Sequence, residues 1–140
     1  MDKVILSSEN VAKPFGIFSQ GVKVGNLVFV SGQISKNTKG EVVGKGDIRA
    51  QTRQCIENLK QVLEAGGATL ENVVKVTVYV TDMEHLKAIH EVRAQYFKEK
   101  YPGEYPCPGK PPHDSRVYDR NRGNCHHLVK CEYLIKEAKG

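Results

Sequence analysis

The sequence predicts an α+β domain in which two helices cover one face of a β-sheet. Two segments, 47–65 and 81–97, carry apolar residues at helical spacing, and β-rich runs lie before, between and after them. A chain of 140 residues, 39% hydrophobic and 26% charged, is long enough to bury a core of its own. We therefore expect one domain over residues 1–140.

The first elements are predicted by turn and cap residues. Two β-rich runs, 22–24 and 27–30, flank Gly25-Asn26, which is typical of a hairpin with a two-residue turn. Asp47 can cap a helix that ends near Ala65, where Gly66-Gly67 can terminate it. Its apolar positions are Ile48, Cys55, Ile56, Leu59, Val62 and Leu63.

A strand over 73–80 and a second helix follow. Alternation predicts one strand face made of Val74, Val76, Val78 and Val80 and an opposite face of Val73, Lys75, Thr77 and Tyr79. Thr81 and Glu84 have the spacing of a capping box. The apolar residues of the helix are Met83, Leu86, Ile89, Val92, Tyr96 and Phe97.

The last third has two parts. Residues 98–126 hold five of the six prolines, most densely at about 98–115, and are predicted to form a long loop. Alternation over 128–135 predicts a final, half-buried strand. Because two helices cover only one face of a sheet, the other face needs a further cover.

Composition argues against several functional classes. No apolar run approaches the roughly 20 residues of a membrane helix, and the N-terminus lacks the features of a secretory signal, so a cytoplasmic location is expected. The net charge of +5 is spread over the chain, which favours a solvated basic surface over nucleic-acid binding. The residues Cys107, His113, Cys125, His126 and His127 fit no standard zinc spacing, and no metal or cofactor is expected.

Two motifs in order carry a family resemblance. A strand that ends in Ser31-Gly32-Gln33 is followed by an Asp-capped helix containing Ala50-Gln51-Thr52. This arrangement resembles the reactive-intermediate deaminases (RidA/YjgF-like) over about residues 13–97, and the resemblance weakens after that. It implies a chorismate-mutase-like fold with a mixed sheet, and a homotrimer in which self-association covers the open sheet face.

The resemblance also implies a catalytic pair in a pocket between subunits. An arginine holds the substrate carboxylate, and a glutamate on the last strand positions a water that attacks an imine carbon, with no cofactor. Glu132, in Leu128-Val129-Lys130-Cys131-Glu132, matches the glutamate. The family's Pro-Ala-Arg-Ser is absent, and Arg116 is the nearest candidate for the arginine, with Arg120 and Arg122 as alternatives.

Five further residues are candidates for substrate binding by the same resemblance. Phe18 replaces a tyrosine in Gly16-Ile17-Phe18-Ser19-Gln20, and the alternative is that it belongs to the core. Ser31 and Gly32 can present backbone groups to a ligand. His90 and Arg93 stand where the family's Val-Asn-Glu-Val-Tyr has asparagine and tyrosine. These changes favour a larger or more acidic ligand.

The expected function is hydrolysis of enamine or imine intermediates to 2-keto acids and ammonia, on a small substrate that bears a carboxylate. The alternative is a relative with the same fold that binds a small ligand or regulates without catalysis, including an RNA- or translation-associated role. The two differ in whether an arginine reaches the pocket beside Glu132.

Overall fold

The structure, a computed structural model, describes residues 2–98, 101–108 and 130–136; within 103–108 and 130–136 only the backbone is described. The described chain contains six strands and two α-helices. In chain order these are β1 (Lys3–Leu6), β2 (Gly21–Val24), β3 (Leu27–Gln33), α1 (Ile48–Ala65), β4 (Val73–Val80), α2 (Leu86–Tyr96), β5 (Gly103–Pro108) and β6 (Lys130–Lys136). In this part of the chain, neither helix is long and apolar enough to cross a membrane.

The strands form one mixed sheet in the order β1-β2-β3-β6-β4-β5. All neighbours are antiparallel except β4 and β5, which run parallel. The last strand thus lies in the middle of the sheet, between β3 and β4. The predicted α+β class, hairpin, first helix, central strand and final strand are all confirmed.

Helix α1 begins and ends as its sequence indicates. The Asp47 side chain accepts hydrogen bonds from the backbone N–H groups of Arg49 and Ala50, which are otherwise unpaired in a first helical turn. After Gly66, Gly67 takes a left-handed φ of 77°, which glycine adopts without strain. The Lys23 ammonium donates to the Gly66 carbonyl at 3.1 Å and so joins β2 to the end of the helix.

The core lies between the helices and one face of the sheet. Along β3, Val28 and Val30 are buried against the helical layer, whereas Leu27 and Phe29 point away from it and are exposed. Core residues include Leu6, Val28, Val30, Cys55, Leu59, Val62, Leu63, Val76, Val78, Val80 and Ile89.

The opposite sheet face is apolar and open in the single chain. Ile5, Val22 and Phe29 are in register across β1, β2 and β3 on that face. Ile5 is 53% exposed and Phe29 is 44% exposed. A row of large apolar side chains in water is unfavourable, and such a patch is typical of a protein interface. The expected homotrimer stays a prediction.

A β-bulge corrects the predicted faces of β4. The pairing with β6 shifts between Val73 and Lys75, so that the intervening Val74 is displaced. Val74 is therefore 49% exposed and Val73 is buried, the reverse of the prediction. Because strand side chains alternate with period two, one extra residue exchanges the faces. From Val76 onward the alternation is as predicted.

Two other predictions are corrected by the structure. Asp82, not Thr81, caps the second helical segment, since its side chain accepts the Glu84 N–H at 2.9 Å. A 3₁₀ turn over Met83–His85 then precedes α2. Within the predicted loop 98–126, β5 forms a strand at the sheet edge, where prolines are tolerated because one side of the strand has no pairing partner.

An ion pair on the helical layer joins α1 to α2. The Arg49 guanidinium donates a hydrogen bond to the Glu91 carboxylate, and both side chains are partly exposed. This hydrogen bond, together with the guanidinium charge, holds the pKa of Glu91 below its ordinary value. Because the pair is exposed, its effect on stability is small.

Replacing Phe29 with lysine tests whether the open sheet face is an interface. The parent chain should sediment as a trimer at micromolar concentration, and the variant should shift to monomer because a charge would be buried in an apolar contact. Val42→Lys is a matched control, since Val42 is 56% exposed but lies outside the sheet face. A parent chain that sediments as a stable monomer would contradict the prediction.

Candidate functional site

A second β-bulge brings three of the predicted site residues together. In the pairing of β3 with β6, Val30 is opposite Tyr133 and Gln33 is opposite Cys131. Ser31 and Gly32 therefore lie opposite a single residue, Glu132. Bulges interrupt the backbone ladder and are frequent beside active sites, because they redirect side chains and leave backbone groups available.

Glu132 has a second neighbour across the sheet. On the β4 side it is paired with Thr77, in the half of that strand where the register is regular. The position of residue 132 is thus set from both sides by backbone pairing. Ser31, Gly32, Glu132 and Thr77 consequently form the centre of the candidate site.

Ser31 is anchored by its backbone and by its hydroxyl. Its N–H donates to the Gln20 carbonyl at 3.0 Å, and its Oγ donates to the Ser19 carbonyl at 2.5 Å. Its own carbonyl accepts from Gln33 Nε2 at 2.9 Å. A hydroxyl has one proton to donate. Toward a ligand, the Ser31 Oγ is therefore an acceptor.

Gln20 holds in place the segment that precedes β2. Its Oε1 accepts the Ser8 N–H at 2.6 Å, and its Nε2 lies 3.1–3.3 Å from the carbonyls of Ser8, Val11 and Ala12. Gln20 is only 4% exposed, so these bonds are formed away from water. This residue, in the motif that carries Phe18, supports the site through the backbone of residues 8–12.

An exposed aromatic pair lies on the same segment. The rings of Phe15 and Phe18 meet edge to face, with centroids 5.5 Å apart and an interplanar angle of 79°. Phe18 is 47% exposed, so the alternative that it belongs to the core is wrong for the single chain. Lys36 Nζ lies 5.4 Å from the Phe15 centroid. Sequence reasoning missed Phe15 and Lys36, because they are distant in sequence and belong to no motif.

His90 and Arg93 lie on α2, in the helical layer. His90 is exposed. Arg93 is 8% exposed, and its guanidinium carbon lies 5.9 Å from the centre of the Phe97 ring. The guanidinium is therefore part of the packing at the end of α2. A role in substrate binding for either residue stays a prediction.

The remaining predicted site residues are described only in part. Arg116, Arg120 and Arg122 lie outside the described residues, as do His113, Cys125, His126 and His127. Glu132 and Cys107 are described through their backbone alone. In the part of the chain that the structure describes, no group of three or more His, Cys, Asp or Glu could hold a metal ion.

Comparisons with known proteins agree with this architecture. The family model described as Endoribonuclease L-PSP matches residues 9–108. A RutC family protein from Pyrococcus horikoshii is 50% identical over 101 residues, which is 71% of this chain and 79% of the relative. A 2-iminobutanoate/2-iminopropanoate deaminase from Dermatophagoides farinae is 37% identical over 100 residues, 71% of this chain and 78% of the relative.

Solved structures share the fold over nearly the whole chain. A putative endoribonuclease from Thermotoga maritima superposes with a TM-score of 0.80 and 33% identity, covering 96% of this chain and 98% of that one. The YjgF gene product of E. coli gives a TM-score of 0.78 and 27% identity, covering 96% and 99%. The chain therefore belongs to the RidA/YjgF family, that of the Endoribonuclease L-PSP model.

Removing the Ser31 hydroxyl tests whether its hydrogen bond to Ser19 holds residues 15–19, which include Phe15 and Phe18, against β3. Ser31→Ala should make the backbone amides of residues 15–19 exchange hydrogen faster, because Ser19 loses its bond to β3. The free energy of unfolding should fall by about 0.5–1.5 kcal/mol, the net value of one hydrogen bond. Ser7→Ala, at an exposed position, is the control. Unchanged exchange at 15–19 would show that other contacts hold the segment.

Proposed function

We propose that the chain hydrolyses reactive enamine and imine intermediates to 2-keto acids and ammonia. The observation that carries the proposal is the bulge that sets Ser31 and Gly32 opposite Glu132. Membership of the family supports it in general terms. The name of the mite relative, an iminobutanoate and iminopropanoate deaminase, supports the same reaction class.

The proposed reaction needs one water and one base. Water adds its oxygen to the imine carbon, and a carboxylate takes one of the water protons. The carboxylate gives this proton to the nitrogen of the adduct, the carbon–nitrogen bond breaks, and the adduct's hydroxyl loses its proton as the keto group forms, so that ammonia is released. We assign the carboxylate to Glu132, whose backbone lies beside the bulge. Protonation of the imine nitrogen gives it a positive charge, and this charge makes the imine carbon electrophilic.

The substrate would be held by groups of complementary chemistry. We assign binding of the substrate carboxylate to Arg116, because a guanidinium binds a carboxylate with two parallel hydrogen bonds. The Ser31 Oγ, whose proton is donated to Ser19, suits an imine N–H as an acceptor. Gly32 lets the substrate approach the backbone closely. Phe18 offers an apolar wall next to Ser19.

A second candidate function is ligand binding without catalysis. It is favoured by the departures from the family pattern, since the usual Pro-Ala-Arg-Ser is absent and Phe18 lacks a hydroxyl. A form of this alternative that involves RNA would show binding that weakens steeply between two salt concentrations. Measurement of imine hydrolysis distinguishes catalysis from binding alone.

Glu132→Gln should reduce kcat for imine hydrolysis about 100-fold or more, the usual contribution of a positioned acid–base group. Arg116→Ala should reduce kcat/KM without a matching loss of stability, because the substrate carboxylate loses a charged partner.

Both variants are measured in the same assay. An amino-acid oxidase generates the imine, and hydrolysis by the chain competes with a reagent that traps the remaining imine.

Glu71→Gln and Arg53→Ala are matched controls at exposed positions and should keep parental activity. Parental activity in Arg116→Ala would remove that residue from the site and favour Arg120 or Arg122. A parent chain that binds 2-keto acids but accelerates no imine hydrolysis would establish the binding alternative.

A further inference from the structure

Lys36 occupies a fixed position just beyond the bulge. Its N–H donates to the Ile34 carbonyl at 2.8 Å, and it forms an isolated β-bridge with Val42. Asn58 of α1 donates from its Nδ2 to the carbonyls of Ile34 and Lys36, each at 3.0 Å. Gln54 in turn donates to Asn58 Oδ1 at 2.8 Å. The backbone at Lys36 is therefore held by the helical layer.

The side chain of Asn58 holds the backbone at Lys36 in place through hydrogen bonds. It is 4% exposed, and its bonds to two carbonyls and to Gln54 satisfy the amide away from water. Loss of Asn58 would remove the bond to the Lys36 carbonyl and one of the two bonds to the Ile34 carbonyl, whose other donor is the Lys36 N–H. Asn58 therefore ties the backbone of the loop that carries Lys36 to α1.

The Lys36 side chain is directed toward the aromatic pair. Its ammonium lies 5.4 Å from the Phe15 centroid, and Phe15 contacts Phe18 edge to face. Phe18 adjoins Ser19, whose carbonyl accepts the Ser31 hydroxyl. A continuous series of contacts thus connects the ammonium to the bulge. The cation therefore lies beside the aromatic pair of Phe15 and Phe18.

The ammonium retains capacity to bind an anion. Two ion pairs of the described residues, Arg49 with Glu91 and Lys60 with Glu57, lie elsewhere, and the described contacts include no ion pair at Lys36. A lysine has three N–H donors, and contact with a ring face leaves donors available on the far side. Lys36 is a partly buried residue beside an aromatic ring, where the attraction of its charge for a carboxylate is screened less by water than on an open surface.

We infer that Lys36 determines the substrate class, by binding a second carboxylate at the distal end of the substrate. The preferred substrates are then 2-imino dicarboxylic acids, the imines of acidic amino acids. This inference rests on the proposed function of the site. It adds a lysine on the loop after β3 to the residues, His90 and Arg93, from which the sequence predicted an acidic preference.

The first arm of the test measures binding without catalysis. Isothermal titration compares 2-oxoglutarate with 2-oxopentanoate, which has the same five-carbon chain but no distal carboxylate. The parent should bind 2-oxoglutarate about tenfold more tightly, the effect of one charge-assisted hydrogen bond. Lys36→Met should abolish that preference, and Lys36→Arg should retain most of it. Lys39→Met, at an exposed position in the same loop, should behave as the parent does.

The second arm measures hydrolysis of the corresponding imines. Oxidation of glutamate and of norvaline supplies 2-iminoglutarate and 2-iminopentanoate. The ratio of their kcat/KM values should favour the dicarboxylate in the parent and fall about tenfold in Lys36→Met. The same ratio should survive in Lys36→Arg and in Lys39→Met.

The two arms separate failure of the inference from failure of the proposed function. Hydrolysis of both imines with a ratio that does not depend on Lys36 overturns the inference alone. Binding of 2-oxoglutarate through Lys36 without hydrolysis of either imine supports the distal carboxylate contact and overturns the proposed reaction. Equal binding of the two oxo acids by the parent overturns the inference whether or not the chain is an enzyme.

Discussion

The architecture depends on the insertion of β6 between β3 and β4. Without it, two central strands would present unpaired backbone N–H and C=O groups to each other, and each buried group left unpaired is costly. The 7-residue strand satisfies both neighbours, and each pairing contains one irregularity, at Val30/Gln33 on β3 and at Val73/Lys75 on β4. The final segment of the chain therefore decides the register of two strands formed from much earlier residues.

The two irregularities have different consequences. At β4 the bulge turns Val74 out of the core and buries Val73, a change of packing. At β3 it sets two residues, Ser31 and Gly32, opposite the backbone of one residue, Glu132. The β3 bulge is further supported from the N-terminal side, because Ser31 bonds to residues 19 and 20 and the buried Gln20 fixes residues 8–12.

Helix α1 is bonded to the loop that follows β3. Asn58 holds the loop that follows β3, and this loop places Lys36 against Phe15. Elsewhere on the layer, the Arg49 guanidinium lowers the pKa of Glu91 and joins α1 to α2. Arg93 packs against the Phe97 ring at the end of α2. A substitution of Asn58 on α1 is therefore expected to change the position of the loop that carries Lys36.

The sequence by itself determined the elements whose signals are local. The Gly25-Asn26 hairpin, the Asp47-capped α1 and the alternating part of β4 need only neighbouring residues, because turn, cap and period act within a few positions. Ser31, Gly32 and Glu132 were proposed as site residues from the family resemblance, and their roles stay predictions. Only the tertiary structure decided β5 at the sheet edge, the exposure of Val74, the opposition of the bulge to Glu132 and the approach of Lys36 to Phe15. Each of these features depends on which distant segments pair or pack with each other. Local residue patterns do not specify such pairing, because it is decided when the chain between the segments closes into a loop.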